Sequence, residues 1–204
     1  MQIKQIRAGS LEVICGPMFS GKSEELIRRL RRAKIAKQRV VVFKHKIDDR
    51  YHDTYVTSHN GTQLHAYATP DCTEILTIVK KEHYTVVGID EVQFYSPEII
   101  DTICTLIEWG IRVVAAGLDL DFRGVPFGPT PILLALADSV SKLRAICTLC
   151  GKEAHFSQRL INDKPAKFND PIILIGGEDT HAARCRTCYE IDKPFSYIHY
   201  KQAE

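Results

Sequence analysis

At 204 residues the chain suits one medium domain, or a domain with a small appendage. Its 45% hydrophobic content can build a core and argues against disorder, and a formal net charge of +2 offers no compositional case for a nucleic-acid binder. No apolar run approaches the roughly eighteen residues of a membrane span, and the start, Met1-Gln2-Ile3-Lys4-Gln5-Ile6-Arg7, lacks the apolar centre of a secretion signal, so the expectation is a cytoplasmic protein with no membrane partner.

Residues 1–9 read as a short tail. Leu11-Glu12-Val13-Ile14-Cys15 follows as a buried strand, and residues 24 to about 38 read as a helix with Leu26, Leu30 and Ala33 on one face. Between them stands Gly16-Pro17-Met18-Phe19-Ser20-Gly21-Lys22-Ser23. It meets the G-x-x-x-x-G-K-[ST] phosphate-loop pattern at every fixed position, in the strand-to-helix context the pattern needs. A helix N-terminus there aims free backbone N–H groups at an anion, and Gly16 and Gly21 let the backbone curl round the phosphates. Lys22 is placed to reach the β- and γ-phosphates, and the Ser23 hydroxyl to ligate Mg²⁺. The helix's other faces carry Arg28, Arg29, Arg31, Arg32, Lys34, Lys37 and Arg39. The first reading of these is a solvated or subunit-contacting face, the second a phosphate or nucleic-acid contact.

Val40-Val41-Val42-Phe43 is a second buried strand, completing a βαβ unit. Residues 46 to about 67 are polar and read as a long irregular loop. A helix is predicted over 71–81, a third strand over 86–89, a helix over 97–109 stopped by Gly110, a fourth strand over 112–118, a short helix over 131–137 and a last central strand over 143–146. Alternation of this kind predicts an α/β fold, a mostly parallel sheet covered on both faces. After Ile146 cysteines, turns and short strands take over, so the expected division is residues 1–146 and a small second domain over 147–204.

The apolar run 86–90 ends in Asp90, and Glu91 follows. After a phosphate loop this is the Walker B pattern, with the Asp at the carboxyl edge of the sheet near the metal. One acid can order the metal while the other takes a proton from the attacking oxygen, which suits either a hydroxyl acceptor or water. Cys147-Thr148-Leu149-Cys150 and Cys185-Arg186-Thr187-Cys188 form two C-x-x-C knuckles. Four thiolates close a tetrahedral Zn²⁺ site of the structural type, although residues 151–184 make a longer gap than the usual zinc ribbon. A metal there would pin both ends of a loop containing Ile172, Ile173, Leu174 and Ile175, which could close over a small ligand and read it by main-chain hydrogen bonds. Cys15, Cys72 and Cys104 read as plain buried thiols.

GPMFSGKS at 16–23, IDEVQF at 89–94, LDLDFRGVPFG at 118–128, both knuckles and IGG at 175–177 together resemble the type II thymidine kinases over residues 9–189. The resemblance implies a RecA-like P-loop sheet flanked by helices with a small zinc-binding lasso domain. It implies Mg²⁺-dependent transfer of a phosphoryl group from ATP to the 5′-hydroxyl of thymidine, with Glu91 as catalytic base. Gly16 to Ser23 match the phosphate loop, Asp90 and Gln93 the positions near metal and nucleotide, and Asp48 and Arg50 an Asp-x-Arg close to the phosphates. Met18, Phe94, Leu118, Phe122 and Phe127 match the pocket around the base. Ile172, Ile173, Leu174, Ile175 and Gly176 match the lasso that grips the nucleoside, and the four knuckle cysteines match the zinc ligands. The family is usually a homotetramer inhibited by the thymidine triphosphate, dTTP. One departure is that the family's usual tyrosine after the Gly-Gly is His181 here, which bears on base selectivity rather than on reaction type. A kinase for another pyrimidine deoxynucleoside, and a zinc-ribbon RecA-like ATPase on nucleic acid, stand as alternatives.

Overall fold

The computed structural model describes residues 9–46, 55–57, 63–173 and 180–193. Its centre is a six-stranded sheet. In chain order the strands of this sheet and the elements between them are β1 (Ser10–Cys15), α1 (Lys22–Ile35), β2 (Val40–Lys44), β3 (Tyr55–Thr57), β4 (Gln63–His65), β5 (Tyr67–Ala68), α2 (Cys72–Lys81), β6 (Val86–Asp90), α3 (Glu98–Glu108), β7 (Arg112–Gly117), α4 (Thr130–Leu136) and β8 (Ser139–Lys142). The sheet order is β5-β2-β6-β7-β1-β8, every pairing parallel.

Strands buried on both sides need apolar residues at successive positions, and β1, β2, β6 and β7 supply them. On one face Leu11, Val13, Phe43, Ile89, Val113 and Ala115 pack under α2, α3 and α4. On the other, Ile14, Val42, Val86 and Val114 pack under α1 and the β3–β4 hairpin. The first crossover helix lies so close to the sheet that a Cβ on Gly88 would sit 2.4 Å from Leu30 Cδ1. Asp71 caps α2 by accepting from the Thr73 N–H at 2.8 Å. Gly110, at φ 79, closes α3 as its N–H donates to the Ile107 carbonyl.

Three expectations change. The last strand of the sheet is 139–142, not 143–146. Its sequence, Ser-Val-Ser-Lys, is mostly exposed, as an edge strand can be, and so carries no apolar run to betray it. Within the expected loop the described residues form the β3–β4 pair and the start of β5, because Val56, Leu64 and Ala66 each turn inward against α1's side of the sheet. Arg29 is no solvated side chain: its guanidinium bonds Glu25, Glu12 and Ser141, and Arg112 joins Glu12 at 2.6 Å.

Beyond β8 the chain leaves the sheet. β9 (Ala145–Ile146) pairs antiparallel with β10 (Glu153–Ala154), and β11 (Phe156–Ile161) lies between β12 (Lys164–Pro165) and β13 (Thr180–Arg184). The apolar cluster of this region is Ala145, Cys147, Ala154, Ala183 and Cys185, with Cys188 against it. These side chains are small and bury little area each, and Phe156, fully buried on β11 and stacked on Tyr189, is the region's large apolar contribution. Among the described residues no helix is long and apolar enough to cross a membrane.

Candidate active site

The carboxyl ends of β1, β2, β6, β7 and β8 share one edge of the sheet, where ligands of open parallel sheets sit. β1 delivers Gly16 to Ser23 there. A Cβ at Gly16 (φ 146) would stand 2.5 Å from the Leu143 carbonyl oxygen, so the loop can run this tightly only with glycine. Gly21 (φ 82) turns the chain into α1, whose first amides have no side-chain cap and are left for an anion. Lys22 is buried, and its Nζ donates to the Pro17 carbonyl at 2.8 Å. Burial pulls its pKa down, while Glu91, Asp90 and Asp119 pull the other way. The Ser20 hydroxyl is buried with no partner among the described residues. Pro17 is buried, Met18 half-buried and Phe19 exposed.

β6 carries Asp90 to the same edge. Burial, then the charge of Glu91, pushes the Asp90 carboxyl upward, with the Ser23 hydroxyl beside it partly offsetting this. That pairing of a carboxylate and a serine hydroxyl is a donor set suited to Mg²⁺. Glu91 leaves the strand at φ 52, a left-handed conformation uncommon for a residue with a Cβ. The turn swings its carboxylate out of the strand's alternation, where Gln93 Nε2 donates to it at 2.5 Å. Gln93 Oε1 in turn accepts from the Leu118 N–H at 3.0 Å. Gln93 is thus a buried bridge between the Glu91 carboxylate and the backbone of Leu118, just past β7. Gly117 leaves it room, since a Cβ there would lie 2.6 Å from Gln93 Oε1.

Phe94 and Phe127 meet edge to face at 5.6 Å. Phe122 is buried on the turn that follows Leu118. Asp121 closes that turn by accepting from the Arg123 and Val125 N–H groups. Ile172 and Ile173 are exposed, and His181 is half-buried in β13 opposite Arg159. Asp48, Arg50, Leu174, Ile175 and Gly176 lie outside the described residues.

Two neighbours of this site escaped sequence reasoning. Ser157 accepts from the Met18 N–H at 2.9 Å, tying the phosphate loop to β11 across 139 positions, and nothing local marks it. Asp119, in the LDLD stretch, pairs with Lys142 at 2.9 Å and leaves Oδ1 buried without a partner among the described residues. With burial, it helps push the Cys15 thiol up to about 11. Only a charged residue at the end of an apolar strand could have flagged Asp119.

The sulfurs of Cys147, Cys150, Cys185 and Cys188 all lie within 4.8 Å of one another. Tetrahedral thiolates at zinc bond lengths would stand about 3.8 Å apart, so the cluster needs little adjustment to close on a metal. The backbone is shaped for it: Gly151 N–H donates to the Cys147 carbonyl at 2.9 Å, and Cys188 N–H to that of Cys185 at 3.1 Å. Backbone N–H groups, that of Cys185 foremost, hold the Cys147 thiol down at about 6. Cys15 and Cys72 are buried thiols, whereas Cys104 is half-buried.

A family model described as thymidine kinase matches residues 9–189. A curated protein named thymidine kinase, from Deinococcus deserti, is 54% identical over 187 residues, which span 87% of this chain and 93% of that relative.

Proposed function

The chain belongs to the thymidine kinase family, and from that premise we propose that it transfers the γ-phosphoryl group of ATP to the 5′-hydroxyl of thymidine, giving thymidine monophosphate and ADP. The observation that carries the assignment of roles is the Glu91–Gln93–Leu118 chain of hydrogen bonds, which links a carboxylate beside the phosphate loop to the wall of an aromatic pocket.

In this reading Gly16 to Ser23 and the uncapped start of α1 cradle the phosphates. Lys22, parked on the Pro17 carbonyl, would swing its ammonium to hydrogen-bond the β- and γ-phosphates. Ser23 and Asp90 would hold Mg²⁺, which draws charge off the phosphates when bound. Glu91 accepts the proton of the 5′-hydroxyl as that oxygen attacks the γ-phosphorus in line, and Gln93 holds the carboxylate in place. Asp48 and Arg50 belong near the phosphates. Met18, Phe94, Leu118, Phe122 and Phe127 enclose the base, and the backbone of 172–176 with His181 completes the grip. Residues 1–146 bind ATP and supply the wall around the base, and 147–204 form the zinc-binding lasso part that closes the nucleoside site. The four cysteines hold a structural Zn²⁺, with no open position for chemistry. Family habit further suggests a cytoplasmic homotetramer that salvages thymidine for DNA synthesis and is inhibited by dTTP.

Family membership sets aside the nucleic-acid-dependent ATPase, and the engagement of Arg29 inside the protein removes part of the basic face it needed. Preference for another pyrimidine deoxynucleoside is the second reading, carried by His181. The test is transfer of labelled phosphate from ATP to a panel of thymidine, deoxyuridine, deoxycytidine and deoxyadenosine. Label on thymidine above the others supports the proposal. Label on another nucleoside shifts it to the second reading, and ATP hydrolysis indifferent to any nucleoside defeats both.

A further inference from the structure

The turn from Asp119 to Phe127 makes its own shape. Asp121 N–H donates to the Val125 carbonyl at 2.8 Å, Phe127 N–H to that of Asp119 at 3.1 Å, and the Asp121 carboxylate binds two further amides. Internal bonds fix a turn's form but not where it stands relative to other parts of the molecule. Two contacts from the cysteine-bearing region fix that for Phe122. The Tyr189 hydroxyl donates to the Phe122 carbonyl at 2.7 Å, and the Arg159 guanidinium lies 5.3 Å from the Phe122 ring centre while also donating to the Pro171 carbonyl.

Tyr189 is itself held firmly. It follows Cys188 directly, its N–H donates to the Cys185 carbonyl at 2.9 Å, and its ring stacks on Phe156 at 4.4 Å. The next N–H, of Glu190, donates to the buried Gln158 Oε1 at 2.9 Å. A side chain fastened to the second knuckle therefore reaches the carbonyl of a pocket residue 67 positions earlier. We propose that Tyr189 is a positioning residue for nucleoside binding, transmitting the geometry of the four-cysteine cluster to Phe122 through one hydroxyl. Arg159 performs the companion task, joining Phe122 to the residue that opens the 172–176 stretch. The proposal rests on the reading of Phe122 as a wall of the base pocket.

The experiment is a double-mutant cycle of Tyr189→Phe and Phe122→Leu, read by calorimetric binding of thymidine, by the KM values of both substrates, and by zinc content. Tyr189→Phe keeps the stack on Phe156 and removes only the hydroxyl. It should weaken thymidine binding and raise its KM roughly five- to tenfold, the scale of one net hydrogen bond. The KM for ATP, kcat and zinc content should all stay within about twofold. In the Phe122→Leu background the same change should add less than about twofold, since the group it positions is gone. If Phe122→Leu weakens thymidine binding but Tyr189→Phe does not, the positioning role is wrong and the pocket stands. If Phe122→Leu leaves thymidine binding unaltered, the pocket reading is wrong and the proposal goes with it. Loss of zinc, or an equal rise of both KM values, in Tyr189→Phe would show a merely structural tyrosine and overturn the proposal.

Discussion

The sheet and the cysteine-bearing region are held together in opposite ways. The sheet buries large aliphatic side chains on both faces: Leu11, Ile14, Leu26, Leu30, Ile75, Ile89, Ile99 and Ile103 are all inaccessible to solvent. The later region has alanines and cysteines at its centre and short strands around them. The first can stand on the hydrophobic effect, while the second would gain much of its order from a metal held by the four cysteines. The residues proposed for chemistry, Lys22, Asp90 and Glu91, sit at the carboxyl edge of the parallel sheet. The two parts meet at the Met18–Ser157 and Phe122–Tyr189 hydrogen bonds, where the proposed nucleoside pocket would be completed.

The sharpest way to strain this contrast is to disable the sheet's chemistry without touching its fold. Glu91→Gln should lower kcat by roughly a thousandfold, within the span seen for general acid–base groups. The melting temperature and thymidine affinity should stay near the parent values. Turnover within tenfold of the parent would remove Glu91 from the role of base.

A smaller effect is expected one contact away. Gly117→Ala drives a methyl toward Gln93 Oε1 and Val92, so the Gln93 bridge must move. Misplacing the carboxylate in this way should cost roughly ten- to a hundredfold in kcat, with metal content intact. An unchanged kcat would mean that the bridge does not orient Glu91.

Next comes packing within the sheet alone. Gly88→Val pushes against Leu30 in a filled core and should destabilise the protein by about 1–3 kcal/mol. Urea unfolding followed by Trp109 fluorescence measures this, and an unaltered midpoint would show that α1 can lift off β6 freely.

The smallest effect is electrostatic. Arg28, then Arg29, holds the Glu25 carboxyl down at about 2, and at Glu12 the two arginines Arg112 and Arg29 outweigh a burial that would raise it. Folded-state values below the unfolded 4.5 mean that this contribution is fully present above pH 4.5 and fades as pH falls toward 2. Acid titration of Arg29→Ala should show a shallower loss of stability over that window than the parent. Identical slopes would count against the network.

What could be read from the chain beforehand was what neighbours in sequence determine. Gly16 to Ser23 announce themselves because a phosphate loop needs fixed residues within one turn. The strand ending in Asp90-Glu91 is an apolar run with an abrupt charge, and the knuckles are a spacing. What escaped depends on partners far along the chain. The exposed Ser139–Lys142 strand is held in place by pairing with β1, not by its own pattern. The Asp119–Lys142 pair spans β1, and the Tyr189–Phe122 bond joins two regions that sequence reasoning kept apart. The inward-facing residues of the β3–β4 hairpin are too few to show a period.

In the proposed division of labour the sheet binds ATP without help from the four-cysteine cluster, whereas the base pocket, walled by the sheet's loops, needs the cluster-bearing region to complete it. Calorimetric titration of the Cys188→Ser protein with ATP and, separately, with thymidine tests it directly, helix content being checked by circular dichroism. Less than one zinc per chain, ATP affinity within about fivefold of the parent, and thymidine binding weakened by roughly a hundredfold or more are expected. Thymidine binding at parental strength in the zinc-free protein, or loss of ATP binding alongside it while the helices remain, would contradict it.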